Sequence, residues 1–521
     1  MHITSSISVL RGTMHVAIHA RADSTMWMSH GGADFRGMRL HPCPHGLELI
    51  PFIRFIPLKE LLLSQKRVPW TVAASDTHDG SGKHSRRERS ADGTKARNIA
   101  SVAALAVILG AVAGLVLWLF LQAVSIGTSL VWDTVPSFVG GMWIAVPICA
   151  VGGCALGLIH KRYGDYPDEL DVVLGKVRRE KRYDYRPILT ILVCAMLPLI
   201  LGASVGPEAG LTGIIAALCY WIGDNVSFAR ENASMYTELG EAATLGQLFH
   251  MPLFGILAVE ETGMDGEAPK LPRIGKLVLY CLSAGSSILV IWCLNQAFDT
   301  SLEGFPHFME AEISAVDCVA VLLYIPVGVA VYLLYRVACK AAEKGAGKVP
   351  AVWKETLCGA AVGVMCIVAP MAMFSGEDQL AGLIDGTEDI MPWMLIGLCV
   401  LKVLMTAFCL RFGLKGGHFF PLIFACSCMG MGMAMLMFPE SAGHAAFAAG
   451  VLTAATLGAQ LKKPLAVTML LLLCFPFRML FWIFVAAAVG GWMARMLDKR
   501  ESPGSEAVEE EASARWQGQS V

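Results

Sequence analysis

Apolar segments of about 20 residues alternate with short polar segments from residue 98 to residue 497. A helix needs about 20 consecutive apolar residues to cross the hydrocarbon core of a bilayer. The pattern therefore predicts an all-α polytopic membrane protein. The predicted long spans lie near residues 98–121, 138–158, 187–202, 276–297, 315–339, 355–374, 392–411, 419–438, 444–461 and 477–497.

Other apolar segments are too short to cross a bilayer, and Gly or Pro bounds them. They lie near residues 208–221, 233–249, 252–262 and 464–473. Such segments are typical of half-helices that end inside the protein. One half of the chain, residues 98–265, contains Gly206-Pro207-Glu208, and the other, residues 276–497, contains the sequence GGHFFP. Broken helices in corresponding positions predict an inverted repeat of long tilted and broken helices, with a binding site between its halves.

Glu208 is an acidic residue at the start of one short apolar segment, directly after Gly206-Pro207. A carboxylate at membrane depth is costly, so it marks a candidate functional site. Gly-Pro before a helix-forming segment predicts a helix that begins inside the bilayer. The unpaired N–H groups and the dipole of such a helix N-terminus favour anions. The alternative is a glutamate that only caps its own helix.

Composition supports the membrane assignment and excludes several classes of protein. Of the 521 residues, 55% are hydrophobic and 16% are charged, whereas soluble domains contain about 25% charged residues. The 16 cysteines lie mainly in apolar segments and lack zinc-type spacing, so no metal or other cofactor is expected. The sequence lacks HExxH, GxSxG and paired intramembrane Asp motifs, which argues against an enzyme. No nucleic-acid partner is expected.

The two ends of the chain differ from the apolar region between them. Residues 1–97 contain eight of the 13 histidines and no sustained apolar segment. We expect a poorly structured cytoplasmic tail there, or sequence upstream of the true start, with Met14, Met26 or Met28 as alternative starts. Residues 498–521 are expected to form a short acidic cytoplasmic tail.

Basic residues cluster in five polar regions, whereas the regions near residues 299–312 and 377–389 are acidic. Because cytoplasmic loops carry an excess of Lys and Arg, the basic regions are expected to face the cytoplasm. Both termini of a multi-pass protein of the plasma membrane would then be cytoplasmic. The basic regions precede residue 98, connect residues 158 and 187, follow residues 265 and 339, and follow residue 494.

Several motifs together resemble the CLC family of chloride channels and chloride/proton antiporters, in its bacterial form without CBS domains. GPEAG lies in the first half, and FGLKGGHFFPLIFA in the second half is similar to the GxFxP segment of that family. The segments MFSGEDQLAGLI, MPLFGILAVEE and KKPLAVTML are also similar, and the resemblance extends over residues 98–497. It implies a CLC-like fold and an anion pore in each subunit.

The resemblance also implies roles for the residues of the two motifs. Glu208 matches the gating glutamate, which would occupy the anion site until a proton or an ion displaces it. The basic residue that the family has before this glutamate is Pro207 here. The implied anion-binding positions, acting mainly through backbone amides, are Gly206, Ala209, Gly210, Gly417, His418, Phe419 and Phe420.

Three departures from the family pattern leave the mode of transport open. The position of the family's anion-binding serine is Gly164, next to Asp165, before an amphipathic segment at residues 167–181. The pore tyrosine has no counterpart, and Phe477 is the nearest aromatic residue. The internal proton-transfer position is Thr262, although Glu260 and Glu261 precede it and a shift of one residue would change the match.

These three departures from the family pattern favour passive, channel-like conduction of chloride or a similar small anion. The alternatives are chloride/proton exchange and transport of another anion, such as nitrate, fluoride or an organic acid. A non-conducting membrane scaffold is a distant alternative, because it leaves Glu208 unexplained.

The resemblance also implies a lipid-embedded homodimer. Family members pair through helices that match residues 233–262 and 444–473. Both segments are rich in small residues, which permit close helix approach.

Overall fold

A computed structural model shows the architecture of the chain from the end of its N-terminal region onward. It describes residues 84–139, 142–168, 172–173, 183–225, 244, 273–300, 306–308, 311, 313–385, 390–438 and 442–501. The described residues are almost entirely helical and include no β-strand. The predicted all-α polytopic fold is therefore confirmed.

The helices of the first half begin with the longest one. They are α1 (His84–Ser129), α2 (Val135–Val139), α3 (Ala145–Tyr163), α4 (Ile188–Ile200) and α5 (Glu208–Asn225), and α6 (Arg273–Phe298) opens the second half. A turn of π-helix, Leu130–Thr134, connects α1 to α2, and a 3-10 turn leads into α3.

The second half contains long helices separated by short ones. They are α7 (Ala315–Ala346), α8 (Trp353–Val368), α9 (Glu377–Ile384), α10 (Pro392–Arg411), α11 (Phe419–Met437), α12 (Ala442–Leu461), α13 (Pro464–Leu471) and α14 (Leu480–Glu501). Among the described residues, eight helical segments are long and apolar enough to cross a membrane.

Helices extend beyond the apolar segments at two places. Helix α1 begins at His84, so residues 84–97 are helical rather than part of an unstructured tail. Their Arg, Glu, Lys and Ala residues are good helix formers and extend the apolar span toward the N-terminus. The acidic segment that follows Gly376 contains α9 and is not simply a loop. Residues 1–83 and 502–521 lie outside the described part of the chain.

Close helix packing holds the site in place and depends on small residues. Helices α3 and α8 approach so closely that a Cβ on Gly359 would overlap the Cys149 carbonyl. Helix α12 lies between α7, α11 and α14. A Cβ on Gly328 of α7 would come within 2.6 Å of the Leu452 carbonyl oxygen of α12. Dispersion contacts across such dense interfaces fix the two short helix starts, at Glu208 and Phe419, within the bundle.

Candidate functional site

The loops that lead into α5 and α11 meet through their backbones. Residues 201–207 are called the gate loop here, and residues 412–418 the partner loop. The Gly206 N–H donates to the Gly417 carbonyl at 2.8 Å, and the Gly417 N–H donates to the Gly206 carbonyl at 2.7 Å. This antiparallel pair joins the two predicted motifs from opposite halves of the chain. It brings the N-termini of α5 and α11 into one site.

The Glu208 carboxylate lies at the N-terminus of α11 and is buried with 1% exposure. Its Oε1 accepts a hydrogen bond from the Phe419 N–H at 2.8 Å. The backbone N–H groups of Phe420 and of Glu208 itself also interact with the carboxylate, and Oε2 has no hydrogen-bond partner among the described residues. A negative group is favoured there by the N-terminal N–H groups and the dipole of α11.

Two glycines provide the space that the Glu208 side chain occupies. A Cβ on Gly417 would overlap the carboxyl carbon of Glu208, and a Cβ on Gly206 would overlap Oε2. The Gly417 amide is used in the loop pairing, so the amide that bonds the Glu208 carboxylate is that of Phe419, two residues later. The role of these two glycines is therefore to let a carboxylate-sized group approach the backbone.

Not all of the predicted anion-binding residues face the carboxylate in the same way. Phe419 and Phe420 contribute amides to Glu208, whereas Ala209 is buried within the first turn of α5. Gly210 serves packing, because a Cβ there would overlap Ala195 of α4. Its absent side chain lets α5 approach α4, and anion binding by its backbone amide stays a prediction.

His418 is half-buried at the N-cap position of α11, with no side-chain capping bond. Its ring lies 5.9 Å from the ring of Tyr335, in a stacked arrangement, and 4.6 Å from that of Phe419. These contacts place the side chain in an aromatic cluster beside the start of α11. Its contribution to the site is therefore packing around the amides rather than a side-chain ligand.

Gly164 terminates α3 in a conformation that explains the absence of a serine. Its φ of 110° and ψ of 162° lie in a region essentially restricted to glycine. Its N–H donates to the His160 carbonyl at 3.0 Å, which closes the last turn of α3. The backbone therefore favours glycine here, and the match of Gly164 to the family's anion-binding serine stays a prediction.

Asp165, which follows Gly164, connects this loop to the partner loop. Its Oδ2 and its carbonyl oxygen both lie 3.0 Å from the Lys415 ammonium group. Burial raises the pKa of Asp165, but the Lys415 charge and hydrogen bond, together with the Lys354 and His160 charges, outweigh it and hold the pKa below the usual 3.8. Asp165 is thus an ionised anchor for Lys415 and repels anions locally.

The remaining predicted positions are Phe477 and residues 260–262. Phe477 begins a 3-10 turn before α14, and its side chain is 75% exposed, in contrast to the buried Glu208. The suggested pore position of Phe477 stays a prediction, and the ring has no place among the residues around Glu208 described above. Glu260, Glu261 and Thr262 lie outside the described residues.

Lys402 was not singled out from the sequence, yet it is fully buried in α10. Its ammonium group donates to the carbonyls of Ala372, Met373 and Phe374 at 3.1, 2.8 and 2.7 Å. The Phe374 N–H in turn donates to Gly202 of the gate loop at 3.1 Å. Lys402 therefore holds the segment that supports the gate loop. A lysine inside an apolar span is the sequence signal that would have identified it.

The site thus combines a helix N-terminus, a carboxylate bound to it and a glycine-lined space. Residues 152–495 match the family model described as "Voltage gated chloride channel". The chain belongs to the voltage-gated chloride channel family. The resemblance to CLC proteins is therefore confirmed over most of the chain.

Individual relatives of this voltage-gated chloride channel family member are distant in sequence. "Putative ion-transport protein YfeO" of Escherichia coli O17:K52:H18 is 24% identical over 360 residues, which cover 65% of this chain and 80% of the relative. The protein of the same name from Shigella flexneri is 23% identical over 357 residues, with the same coverage.

Solved structures show the same fold. A slow cyanobacterial Cl⁻/H⁺ antiporter matches with a TM-score of 0.65 at 18% identity, over 76% of this chain and 94% of that one. A CLC-type fluoride/proton antiporter matches with a TM-score of 0.60 at 18% identity, over 76% of this chain and 95% of that one. These matches confirm the CLC-like fold that the sequence predicted.

Proposed function

We propose that this chain transports chloride or a similar small anion across a membrane, with the Glu208 carboxylate as its gate. The observation that supports this is the carboxylate oxygen 2.8 Å from the Phe419 nitrogen at the N-terminus of α11. A helix N-terminus binds anions of several kinds. The side chain that now fills the site is therefore the group that a transported anion would replace.

The gate works by competition between the carboxylate and the anion. Ionised Glu208 is a charge-assisted acceptor for the Phe419 N–H and excludes an anion from that position. Protonation removes the charge and weakens both this bond and the attraction to the helix dipole. The neutral side chain then leaves, and an anion takes the amides of Phe419 and Phe420. Gly206 and Gly417 allow both arrangements, because neither has a side chain.

The identity of the anion is the part of the proposal that the site constrains least. Backbone amides favour negative charge without choosing among chloride, fluoride, nitrate or an organic acid. Gly164 contributes no hydroxyl to the choice. One of the similar solved structures is that of a CLC-type fluoride/proton antiporter. We take chloride as the first candidate and another small anion as the alternative.

The mode of transport has two candidates. The sequence favours passive conduction, because Thr262 occupies the family's internal proton position. A specific structural observation favours chloride/proton exchange: Glu355, a fully buried acid, lies on the side of the basic loops.

We further propose a plasma-membrane location with both termini in the cytoplasm. The support is the charge of the loops: Lys161 and Arg162 end α3, Lys344 ends α7, and Arg495 and Lys499 end α14. An excess of basic residues marks the cytoplasmic side.

We also propose a lipid-embedded homodimer. Its interface would not include α12, which lies in one of the two segments predicted to form it. The apolar window of α12, within Gly443–Leu461, is 83% buried inside the chain itself, so α12 cannot contribute a large contact surface. Helix α13 remains available, since Leu465 is 48% exposed. Native mass spectrometry in mild detergent should show two chains, and a mass of one chain would contradict the dimer.

Chloride efflux from proteoliposomes tests the transport proposal directly. Vesicles loaded with chloride and containing the purified chain should release it faster than empty vesicles when valinomycin balances the charge. Glu208→Ala should alter the rate, because it removes the competing carboxylate. Release no faster than from empty vesicles would favour the scaffold alternative.

A further inference from the structure

Glu355 is a carboxylic acid in the first turn of α8 that is completely removed from solvent. Its Oε1 lies 3.5 Å from the Lys354 ammonium group, and its Oε2 has no hydrogen-bond partner among the described residues. A Cβ on Gly413 would come within 2.7 Å of the Glu355 Cγ, and a Cβ on Gly157 within 3.0 Å of Oε2. The glycines leave room for a buried acid, whose ionised form is costly there.

His160, in the last turn of α3, lies within hydrogen-bond distance of Glu355. Its Nε2 lies 2.8 Å from the Tyr166 carbonyl oxygen, which can only accept a hydrogen bond, so Nε2 carries a hydrogen. Its Nδ1 lies 3.3 Å from Glu355 Oε1. With Nε2 protonated, a neutral imidazole presents a lone pair at Nδ1. A hydrogen bond between Nδ1 and Oε1 therefore needs one further proton, held either by the imidazole or by the carboxyl group.

The surroundings of this pair connect it to solvent on the basic side of the protein. His160 Nδ1 also lies 3.5 Å from Asp165 Oδ1, and the Asp165 side chain is 53% exposed. The cations that face the pair are Lys354, on its own helix α8, and Lys415, from the partner loop, bonded to Asp165. A proton from water can therefore reach His160 along Asp165. The positive-inside rule places this entry in the cytoplasm.

A run of buried polar side chains continues from Glu355 toward the gate. Cys358 follows Glu355 by about one helical turn, and its thiol is hydrogen-bonded to Cys409 of α10. The Cys409 sulfur interacts with the backbone N–H of Ser204. The Ser204 hydroxyl lies 2.9 Å from the Thr406 hydroxyl. Thiols and hydroxyls can accept and release protons, whereas the apolar side chains around them cannot.

This run ends in the gate loop. Ser204 lies two residues before Gly206, whose backbone is paired with Gly417 beneath the Glu208 carboxylate. Both Ser204 and Thr406 are buried, so the run does not open to the surface at that point. These polar side chains connect the pair of His160 and Glu355, which reaches solvent through Asp165, to the gate loop.

We propose that Glu355 and His160 form the internal proton-binding site of a proton-coupled anion exchanger, with Cys358, Cys409, Ser204 and Thr406 as the polar route toward Glu208. A cytoplasmic proton enters by way of Asp165 and is held between His160 Nδ1 and Glu355 Oε1. It is then passed to the Glu208 carboxylate, which leaves α11 and releases the proton on the opposite side. Anions move in the reverse direction. This inference rests on the proposed anion transport and selects its second candidate mode.

Simultaneous recording of chloride and pH on proteoliposomes tests the proposal. A chloride gradient should drive net proton movement through the native chain. Glu355→Gln should preserve chloride flux and lower the proton-to-chloride ratio at least tenfold, because the amide cannot hold the proton. Glu343→Gln is the matched control, since Glu343 is an exposed acid near the same end of the bundle, and its ratio should equal that of the native chain.

His160→Asn tests the same pair from its other side and does not depend on the folding of the Glu355 variant. It should also lower the ratio while chloride flux persists. A native chain that moves chloride without protons would overturn the proton site and leave anion transport intact. An unchanged ratio in either pair variant would overturn it as well. A native chain that moves no chloride would overturn both proposals.

Discussion

Gly206 and Gly417, which are 211 positions apart, donate a backbone hydrogen bond to each other's carbonyl at 2.8 and 2.7 Å. This pair joins the two halves of the chain at the place where a carboxylate meets a helix N-terminus. Glycine is needed on both sides, because a Cβ on either residue would overlap the Glu208 side chain. The geometry of the gate therefore depends on two residues without side chains.

Gly417→Ala should prevent Glu208 from reaching its place on the N-terminus of α11. The added methyl group overlaps the carboxyl carbon, so the acid is held away from the Phe419 amide. We expect chloride efflux to lose most of its dependence on external pH. Gly397→Ala is the control, because a Cβ at Gly397 meets no atom within 4 Å. Equal pH dependence in both variants would contradict the role of Gly417.

Lys402→Met should destabilise the folded chain without removing a group from the anion site. Three carbonyl groups lose a charged donor, and a cost of about 2 kcal/mol is expected. The thermal midpoint in detergent should fall by several degrees. Lys344→Met, at the exposed end of α7, should leave the midpoint unchanged. A Lys402→Met midpoint within one degree of the native value would show that the three bonds contribute little.

Gly164→Ser should not create an additional anion ligand. The φ of 110° requires a conformation that costs a residue with a side chain about 1–3 kcal/mol. We expect lower thermal stability and an unchanged ratio of fluoride to chloride flux, compared with Gly397→Ser. A changed flux ratio with native stability would show that this position does contact the transported anion.

Asp165→Asn should reduce stability at neutral pH and have less effect in acid. The pKa of Asp165 is lowered in the folded chain, so its stabilising effect is present above the unfolded value of about 3.9 and is lost as the pH falls through the folded value. Because the side chain is 53% exposed, screening limits the effect to below about 1 kcal/mol. Melting temperatures of the two proteins should converge below pH 3.9, and a difference that grows on acidification would contradict this account.

The main features of the gate could be predicted from sequence because they are local. An acid after Gly-Pro in an apolar segment identified Glu208, and the second glycine-rich motif identified the amides near Phe419. The same reasoning applies to Lys402, a charge inside an apolar span. The pair of His160 and Glu355 could not be predicted in this way, since 195 residues separate them and only helix packing brings them together.

Glycines were the least predictable part of the site. Family motifs suggested anion binding for Gly210 and a lost ligand at Gly164. The structure adds a physical reason for each glycine that the motifs did not predict: Gly210 allows α5 to approach Ala195, and Gly164 adopts a backbone conformation that ends α3. A sequence shows that a glycine is present, but its φ and its neighbours depend on the tertiary fold.

Chloride efflux at a series of external pH values, measured for the native chain and for Glu208→Gln, tests the gate most directly. The native rate should rise as the pH falls, because protonation releases the carboxylate from the Phe419 amide. Glu208→Gln, which carries no titratable group at that position, should conduct at a rate independent of external pH. A native rate that does not change with pH, or a Glu208→Gln rate that follows the native pH profile, would contradict the account.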